Sequence, residues 1–338
     1  IIPMASPVYE WMTRYLLPVA LLLLMITVDM KSILKLGRTA LIMVTAGSIG
    51  IMIGAQVAYV AFARWLPPDG WTGLAALTGS WIGGTANMVA IAESVGTPDA
   101  IMGPIIVVDT VVGYGWMGVL LFLSAWQALF DRRLQADTTA LTETNKLLAD
   151  LDTHRKPTQL RDIAIILGLG FAGAVLAVQL GAALPVLGDP TIISHTTWAV
   201  LIVVTGGLLL SFTPVRNLEE VGASKVGYAA LYLLLTAIGA QGNLMEVLSA
   251  PAFFFAGVLV ITIHVAVMLA VARIIRAPFF FVATGSVANI GGAGTAPIVA
   301  SVYHPAMAPV GLLMAVAGYI LGIYGALGAA WMLGVLAG

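Results

Sequence analysis

Residues 78–96 read TGSWIGGTANMVAIAESVG, and residues 284–302 read TGSVANIGGAGTAPIVASV. Both begin Thr-Gly-Ser (Thr78, Gly79, Ser80; Thr284, Gly285, Ser286) and continue to a Gly-Gly pair (Gly83, Gly84; Gly291, Gly292). Each then reaches Thr-Ala (Thr85, Ala86; Thr295, Ala296) and an apolar run. Glycine in a helix interior is about 1 kcal/mol less favourable than alanine, so each copy predicts a helix broken at its centre. Backbone N–H and C=O groups freed by a break inside a bilayer need partners, and such a break survives only buried in protein or against a wet cavity. Two breaks at matching places in two halves are the sequence signature of a secondary transporter's solute site.

The rest of the chain fits a bilayer. Of its 338 residues 60% are hydrophobic and 9% charged, against about 25% charged in an ordinary soluble domain, and mean hydropathy is +1.02. A polytopic all-α membrane protein follows. The net charge of −1 and the lack of a basic run argue against a nucleic-acid partner. With no cysteine, disulfides and thiolate-held metals are excluded.

Apolar spans are expected at about 13–30, 40–65, 98–130, 161–184, 195–213, 225–243, 251–275 and 305–336, with the broken segments at 72–94 and 279–302. Each full span has the ~20 residues that cross ~30 Å of hydrocarbon. The stretch 131–160 is polar and reads as a cytoplasmic linker with a short amphipathic helix near Leu141–Leu151. It separates a first repeat, 1–130, from a second, 161–338. Tyr15 opens a span that matches the one from Tyr228, an offset of 213, and the Thr-Gly-Ser motifs are offset by 206. In that register Ile1 corresponds to about Pro214, so the counterparts of 161–184 and 195–213 are expected before Ile1.

Lys and Arg mark cytoplasmic loops. If both broken segments are hairpins that leave by the side they entered, 13 of the 15 Lys and Arg fall on one side, with Arg14 and Arg64 opposite. If both span, the division is 12 to 3, but the misplaced three are Lys31, Lys35 and Arg38, clustered in one short loop. Hairpins are therefore preferred, and they make the repeats inverted. About 23 residues give two half-helices of ~15 Å each, enough to reach mid-membrane.

The double glycine-rich motif, the Asp29–Arg38 loop after an apolar span and the polar central linker resemble the YjcL-like bacterial membrane family, long catalogued as a domain of unknown function. More distantly, the plan is similar to the sodium-glutamate and 2-hydroxycarboxylate symporters, and to the superfamily of cation/proton antiporters and bile-acid transporters. That resemblance implies inverted repeats, paired hairpins meeting at mid-membrane, elevator-like motion, a bacterial inner membrane and, by analogy, a homodimer. It supplies no solute. The tip Gly83-Gly84-Thr85-Ala86-Asn87 departs from the GGHGTA type of glutamate symporters, so glutamate is not carried over.

The helix starting after each break presents unpaired N–H groups and partial positive charge, which suit a carboxylate without arginine. The expected solute-binding set is Ser80, Gly83, Gly84, Thr85 and Asn87 with Ser286, Asn289, Gly291, Gly292, Gly294 and Thr295. The plain alternative is that small residues there serve tight helix packing. Asp109, in mid-span among Val, Ile and Thr, and Glu93, at the end of a hairpin arm, are the ion-coupling candidates. A carboxylate at membrane depth is a functional candidate by default. A proton would titrate Asp109; Na⁺ would sit at Asp109, Asn87 and Thr85, hard oxygen ligands by analogy with other hard cations. Gln56 and His264 read as single interhelical hydrogen bonds. The run Thr110-Val111-Val112-Gly113-Tyr114-Gly115 looks like a potassium filter but stands once, inside a span; its glycines read as close helix contacts. The expected function is Na⁺- or H⁺-coupled transport, a symport, of a small anionic or zwitterionic solute, with no other cofactor and with lipid as the surroundings. A channel, or an intramembrane enzyme using a Ser286–His264 pair, is the alternative.

Overall fold

The computed structural model describes residues 7–29, 33, 36–137, 156–188, 193–241, 251–304 and 307–338. The expected helix at Leu141–Leu151 and the lysines of the 31–35 loop lie outside them. Fourteen α-helices are described: α1 (Pro7–Trp11), α2 (Leu17–Ile26), α3 (Arg38–Phe62), α4 (Gly70–Gly83), α5 (Thr85–Val95), α6 (Asp99–Leu123), α7 (Gln127–Leu134), α8 (Leu160–Ala183), α9 (His195–Leu210), α10 (Ala223–Gln241), α11 (Pro251–Ile275), α12 (Phe279–Ile290), α13 (Gly292–Tyr303) and α14 (Ala308–Ala337). Among the described residues the one β feature is an isolated bridge between Leu187 and Ile193. Five helices are long and apolar enough to cross a membrane, or six if α9 and the 3₁₀ segment Pro214–Val221, bent by 95°, count as one span. The chain is an all-α polytopic membrane protein.

The helices form two bundles. In the first, α2 is central. Its sequence LPVALLLLMI is apolar all round and every residue is buried, the pattern of a helix enclosed on all sides. A π-helical turn, Met12–Leu16, joins it to α1. The neighbours α8, α9 and α10 approach through glycines: a Cβ on Gly207 would lie 2.6 Å from the Met25 Cβ, and one on Gly227 3.2 Å from the Leu23 Cβ.

The second bundle is built on α3 and α11. Gly47, Gly50 and Gly54 form a small-residue stripe on α3 that admits α11 at backbone distance. A Cβ on Gly50 would be 2.9 Å from the His264 Cα, and one on Gly54 2.9 Å from the Val260 carbonyl. As the number rises along α3 it falls along α11, so the two helices run antiparallel. They are also the repeat mates that the 213-residue offset pairs.

Both glycine-broken segments double back. In α4–α5 a Cβ on Gly79 would meet the Asn87 carbonyl and the Ile91 side chain, each at 2.9 Å. At the open end Thr97 Oγ1 donates to the Thr72 carbonyl at 3.4 Å. In α12–α13 the open end closes through rings: Phe279 lies 6.1 Å from Tyr303 and Phe280 5.4 Å from His304. A straight helix would hold residues 24 apart at ~36 Å. The first hairpin opens where α3 ends and the second where α11 ends, so antiparallel α3 and α11 put their mouths at opposite ends of the bundle. Opposed repeats require this arrangement.

Helix α14 holds both hairpins. A Cβ on Gly318 would lie 2.8 Å from the Ile82 carbonyl, and one on Gly322 2.8 Å from the Gly83 Cα. Gly322→Ala therefore forces backbone apart and should destabilise by about 1–3 kcal/mol. Gly328 has nothing within 4 Å of its Cβ position, and Gly328→Ala should be neutral or stabilising. Thermal unfolding in detergent checks the pair; equal melting temperatures would contradict the packing described.

Candidate functional site

The first break follows from Gly84, whose φ of 79° and ψ of 176° suit glycine. Helix α5 restarts at Thr85, and Asn87 N–H and Met88 N–H both return to the Gly84 carbonyl, at 3.0 and 3.2 Å. The second break spans Gly291 and Gly292, the latter at φ 64°. The two tips meet across Tyr319 of α14. Its hydroxyl accepts the Ala293 N–H of the second tip at 2.9 Å. Its carbonyl accepts from Asn87 Nδ2 of the first at 3.3 Å. One residue thereby bonds a backbone N–H at the second break and a side-chain amide just past the first.

Above the tips lies a cavity of 910 Å³ between the two bundles. Its floor is Ser80, Gly83–Asn87, Asp109 and Gly291–Thr295; one wall is Leu21, Leu24 and Met25 of α2 with Tyr228 and Tyr232 of α10. Its rim is Asp29 with Arg216, Glu219 and Glu220 of the 3₁₀ segment. Arg216 bridges to Asp29, and Lys156 bridges to Glu220 at 2.6 Å. Thr158 Oγ1 donates to the Val221 carbonyl at 2.8 Å, which ties the end of the central linker to the rim.

On the floor Ser80 Oγ donates to Asp109 Oδ1 at 2.9 Å. The Trp81 indole N–H comes near the same carboxylate but outside hydrogen-bond geometry. Asp109, Gly113 and Trp116 share one face of α6 at i, i+4 and i+7 spacing. That face touches both hairpins: Asp109 holds Ser80 of the first, and Trp116 Nε1 donates to Ser286 Oγ of the second at 2.8 Å. Between them a Cβ on Gly113 would lie 3.3 Å from Ile290 Cγ2. Gly115, by contrast, faces open space.

The two Thr-Gly-Ser serines thus have different surroundings. Ser286 is buried away from the cavity, 2.8 Å from His264 Nε2, while His264 Nδ1 lies 2.9 Å from the Gly47 carbonyl. A carbonyl only accepts, so Nδ1 carries a proton; a neutral ring then accepts the Ser286 proton at Nε2. Asn289 is also buried. With its amide oriented to satisfy every partner, it donates to the Val44 and Gly285 carbonyls and accepts from Ser48. These two polar side chains hold the second hairpin to α3 and α11. Gln56 Nε2 donates to the Ala329 carbonyl at 3.0 Å, a single interhelical bond as expected.

The structure therefore gathers Ser80, Gly83, Gly84, Thr85, Asn87, Asp109, Gly291, Gly292, Gly294 and Thr295 around one cavity, and leaves Ser286 and Asn289 outside its lining. Glu93 is elsewhere, in a separate 450 Å³ pocket with Arg14, Asp99 and His195 at the mouth of the first hairpin. Tyr319 was not among the expected residues. One signal was available, since Gly318-Tyr319 repeats Gly113-Tyr114 at an offset of 205, almost that of the Thr-Gly-Ser pair. Tyr319→Phe removes the acceptor of the Ala293 N–H, a loss of about 1–3 kcal/mol for an unsatisfied donor. Hydrogen exchange should quicken at 292–295 and stay unchanged at 85–88; equal change at both tips, or none, would contradict Tyr319 as the clamp.

Comparison with known proteins agrees with a membrane protein. Residues 1–336 match the family described as "Protein of unknown function (DUF819)". The chain is also 24% identical over 337 residues to "Uncharacterized membrane protein YjcL" of Bacillus subtilis (strain 168), covering 96% of this chain and 83% of that protein. The chain belongs to the DUF819 family of membrane proteins.

Proposed function

We propose that this protein is a secondary active transporter of a small organic solute, coupled to Na⁺ or H⁺, in a bacterial inner membrane. One observation carries the reading: the cavity runs in from one end of the molecule and stops near the middle of α6 and α14, where two oppositely entering hairpin tips meet. A site reached from one side and closed on the other suits alternating access. The side that carries the cavity rim also carries Arg38, Arg132, Arg133, Lys156, Arg216 and Arg276, so by the Lys/Arg bias the cavity faces the cytoplasm. The wall of α2 and α10 belongs to one bundle and the floor to the other, which suits movement of the hairpin bundle against its partner.

Two features weigh against the other readings. A channel would need a continuous path, whereas packing of both tips on α14 closes this one. A hydrolase would need an accessible nucleophile; the Ser286–His264 pair exists, but it is fully buried and Trp116 occupies the serine oxygen.

Asp109 is the acidic group on the floor, and a coupling cation would meet it beside Ser80, Thr85 and Asn87. In proteoliposomes, Asp109→Asn should abolish accumulation driven by a Na⁺ or pH gradient. If Asp109 binds Na⁺, Na⁺ stimulation of solute binding is lost as well. Wild-type gradient-driven uptake by Asp109→Asn would remove Asp109 from the mechanism.

A further inference from the structure

The charges lining the cavity narrow the class of solute, if the transport reading holds. Asp29, Glu219 and Glu220 stand at the rim with Arg216, the one basic side chain among its described lining residues. Arg216 is engaged by Asp29. Glu219 accepts from the Ser224 N–H and hydroxyl, and Lys156 meets Glu220 from outside the lining, with its side chain 66% exposed. Among the described lining residues acid thus exceeds base along the path inward, and past the rim the one charged residue among them is Asp109. A narrow cleft with low-dielectric walls focuses such a field and concentrates counter-charge. A solute that is only an anion would approach against it.

The remaining chemistry has two poles. Asp109 has a neutral partner in Ser80 and, among the described residues, no basic side chain beside it on the floor. Tyr114 borders the floor, and Tyr228 and Tyr232 stack with ring centroids 6.2 Å apart on the facing wall. Aromatic faces attract cations. Against this acidic, aromatic side stand the starts of α5 and α13, each with the partial positive charge of a helix start; of their first-turn N–H groups, those of Asn87, Met88 and Ala293 already have partners within the protein. Ser80, which holds Asp109, lies one helical turn before the Gly84 break, so the two poles adjoin.

We infer that the solute is a zwitterion, bearing an ammonium or quaternary ammonium that binds Asp109 and the tyrosine faces, and a carboxylate that binds the two hairpin tips. A plain carboxylate would leave Asp109 facing an anion, and a plain amine would leave the helix starts without one.

The cysteine-free chain allows a direct test. Gly294 lines the cavity at the second tip, has nothing within 4 Å of its Cβ position and has no positive φ, so Gly294→Cys is accommodated. The rate at which a maleimide labels this full-length variant is measured with amino acids, betaines and dipeptides, each beside its deamino and decarboxy counterparts. At about ten times its dissociation constant, a bound zwitterion should slow labelling roughly tenfold, with little effect from either counterpart. Protection should vanish with Asp109→Asn and return with Asp109→Glu. Equal protection by a carboxylate lacking the ammonium, protection that survives Asp109→Asn, or no protection by any zwitterion overturns the inference. Uptake by proteoliposomes separates the two claims. A carboxylate that protects and accumulates keeps transport and removes the zwitterion; a zwitterion that protects but never accumulates does the reverse.

Discussion

Two broken helices end against one turn of α14, and the architecture depends on how that contact satisfies backbone. A hairpin tip inside a membrane exposes N–H and C=O groups that lipid cannot bond. Here the Tyr319 hydroxyl takes the Ala293 backbone N–H, while its carbonyl takes the side-chain amide of Asn87, which ties the first tip to the same residue. Gly318 and Gly322 let the first hairpin approach close enough for this, since a Cβ at either would lie 2.8 Å from its backbone, and Gly311 does the same for the second, where a Cβ would run into the Ala296 backbone. Larger residues would hold the tips off α14, and the freed groups would need water at that depth.

With the tips fixed, α6 becomes the element that relates the hairpins. Its Asp109 and Trp116, two turns apart, contact Ser80 and Ser286. A ligand at Asp109 would therefore act on a helix that also touches the second hairpin. The far end of the second hairpin is held separately: Asp131 Oδ1 accepts the Phe279 N–H at 2.7 Å, and Phe130 stacks on Phe279 with centroids 4.3 Å apart. This leaves each hairpin fixed at its mouth and at its tip, with the cavity floor between. The outer bundle adds the wall and the rim.

Much of this was legible in the sequence. Glycine pairs weaken a helix, so the breaks at Gly84 and at Gly291–Gly292 were readable from the repeated motif around them, although the pair Gly206-Gly207 stays helical within α9, and the lysines and arginines around the Asp29–Arg38 loop pointed to hairpins rather than spans. Asp109 was readable because a carboxylate among Val, Ile and Thr has no ordinary place at that depth. The partners were not. Ser80 and Ser286 share one motif, yet Ser80 faces an acid beside the cavity and Ser286 a buried histidine and an indole; residue type says that a hydroxyl must be satisfied, not by what. Tyr319 was hidden for a related reason, because a tyrosine in an apolar span reads as interface or packing until the tips it serves are placed. The wall from α2 and α10 was equally hidden, since apolar lining carries no local signature.

If the hairpins enter from opposite faces of the membrane and the cavity opens to the cytoplasm, the two hairpin mouths lie on opposite sides. Asp69 is exposed at the mouth of the first hairpin, and Arg132 is exposed on α7 beside the mouth of the second. Single variants Asp69→Cys and Arg132→Cys, in this cysteine-free chain, can be labelled with a membrane-impermeant maleimide in spheroplasts and in everted vesicles. Asp69→Cys should react in spheroplasts alone and Arg132→Cys in everted vesicles alone. Labelling of both from the same side would contradict this arrangement.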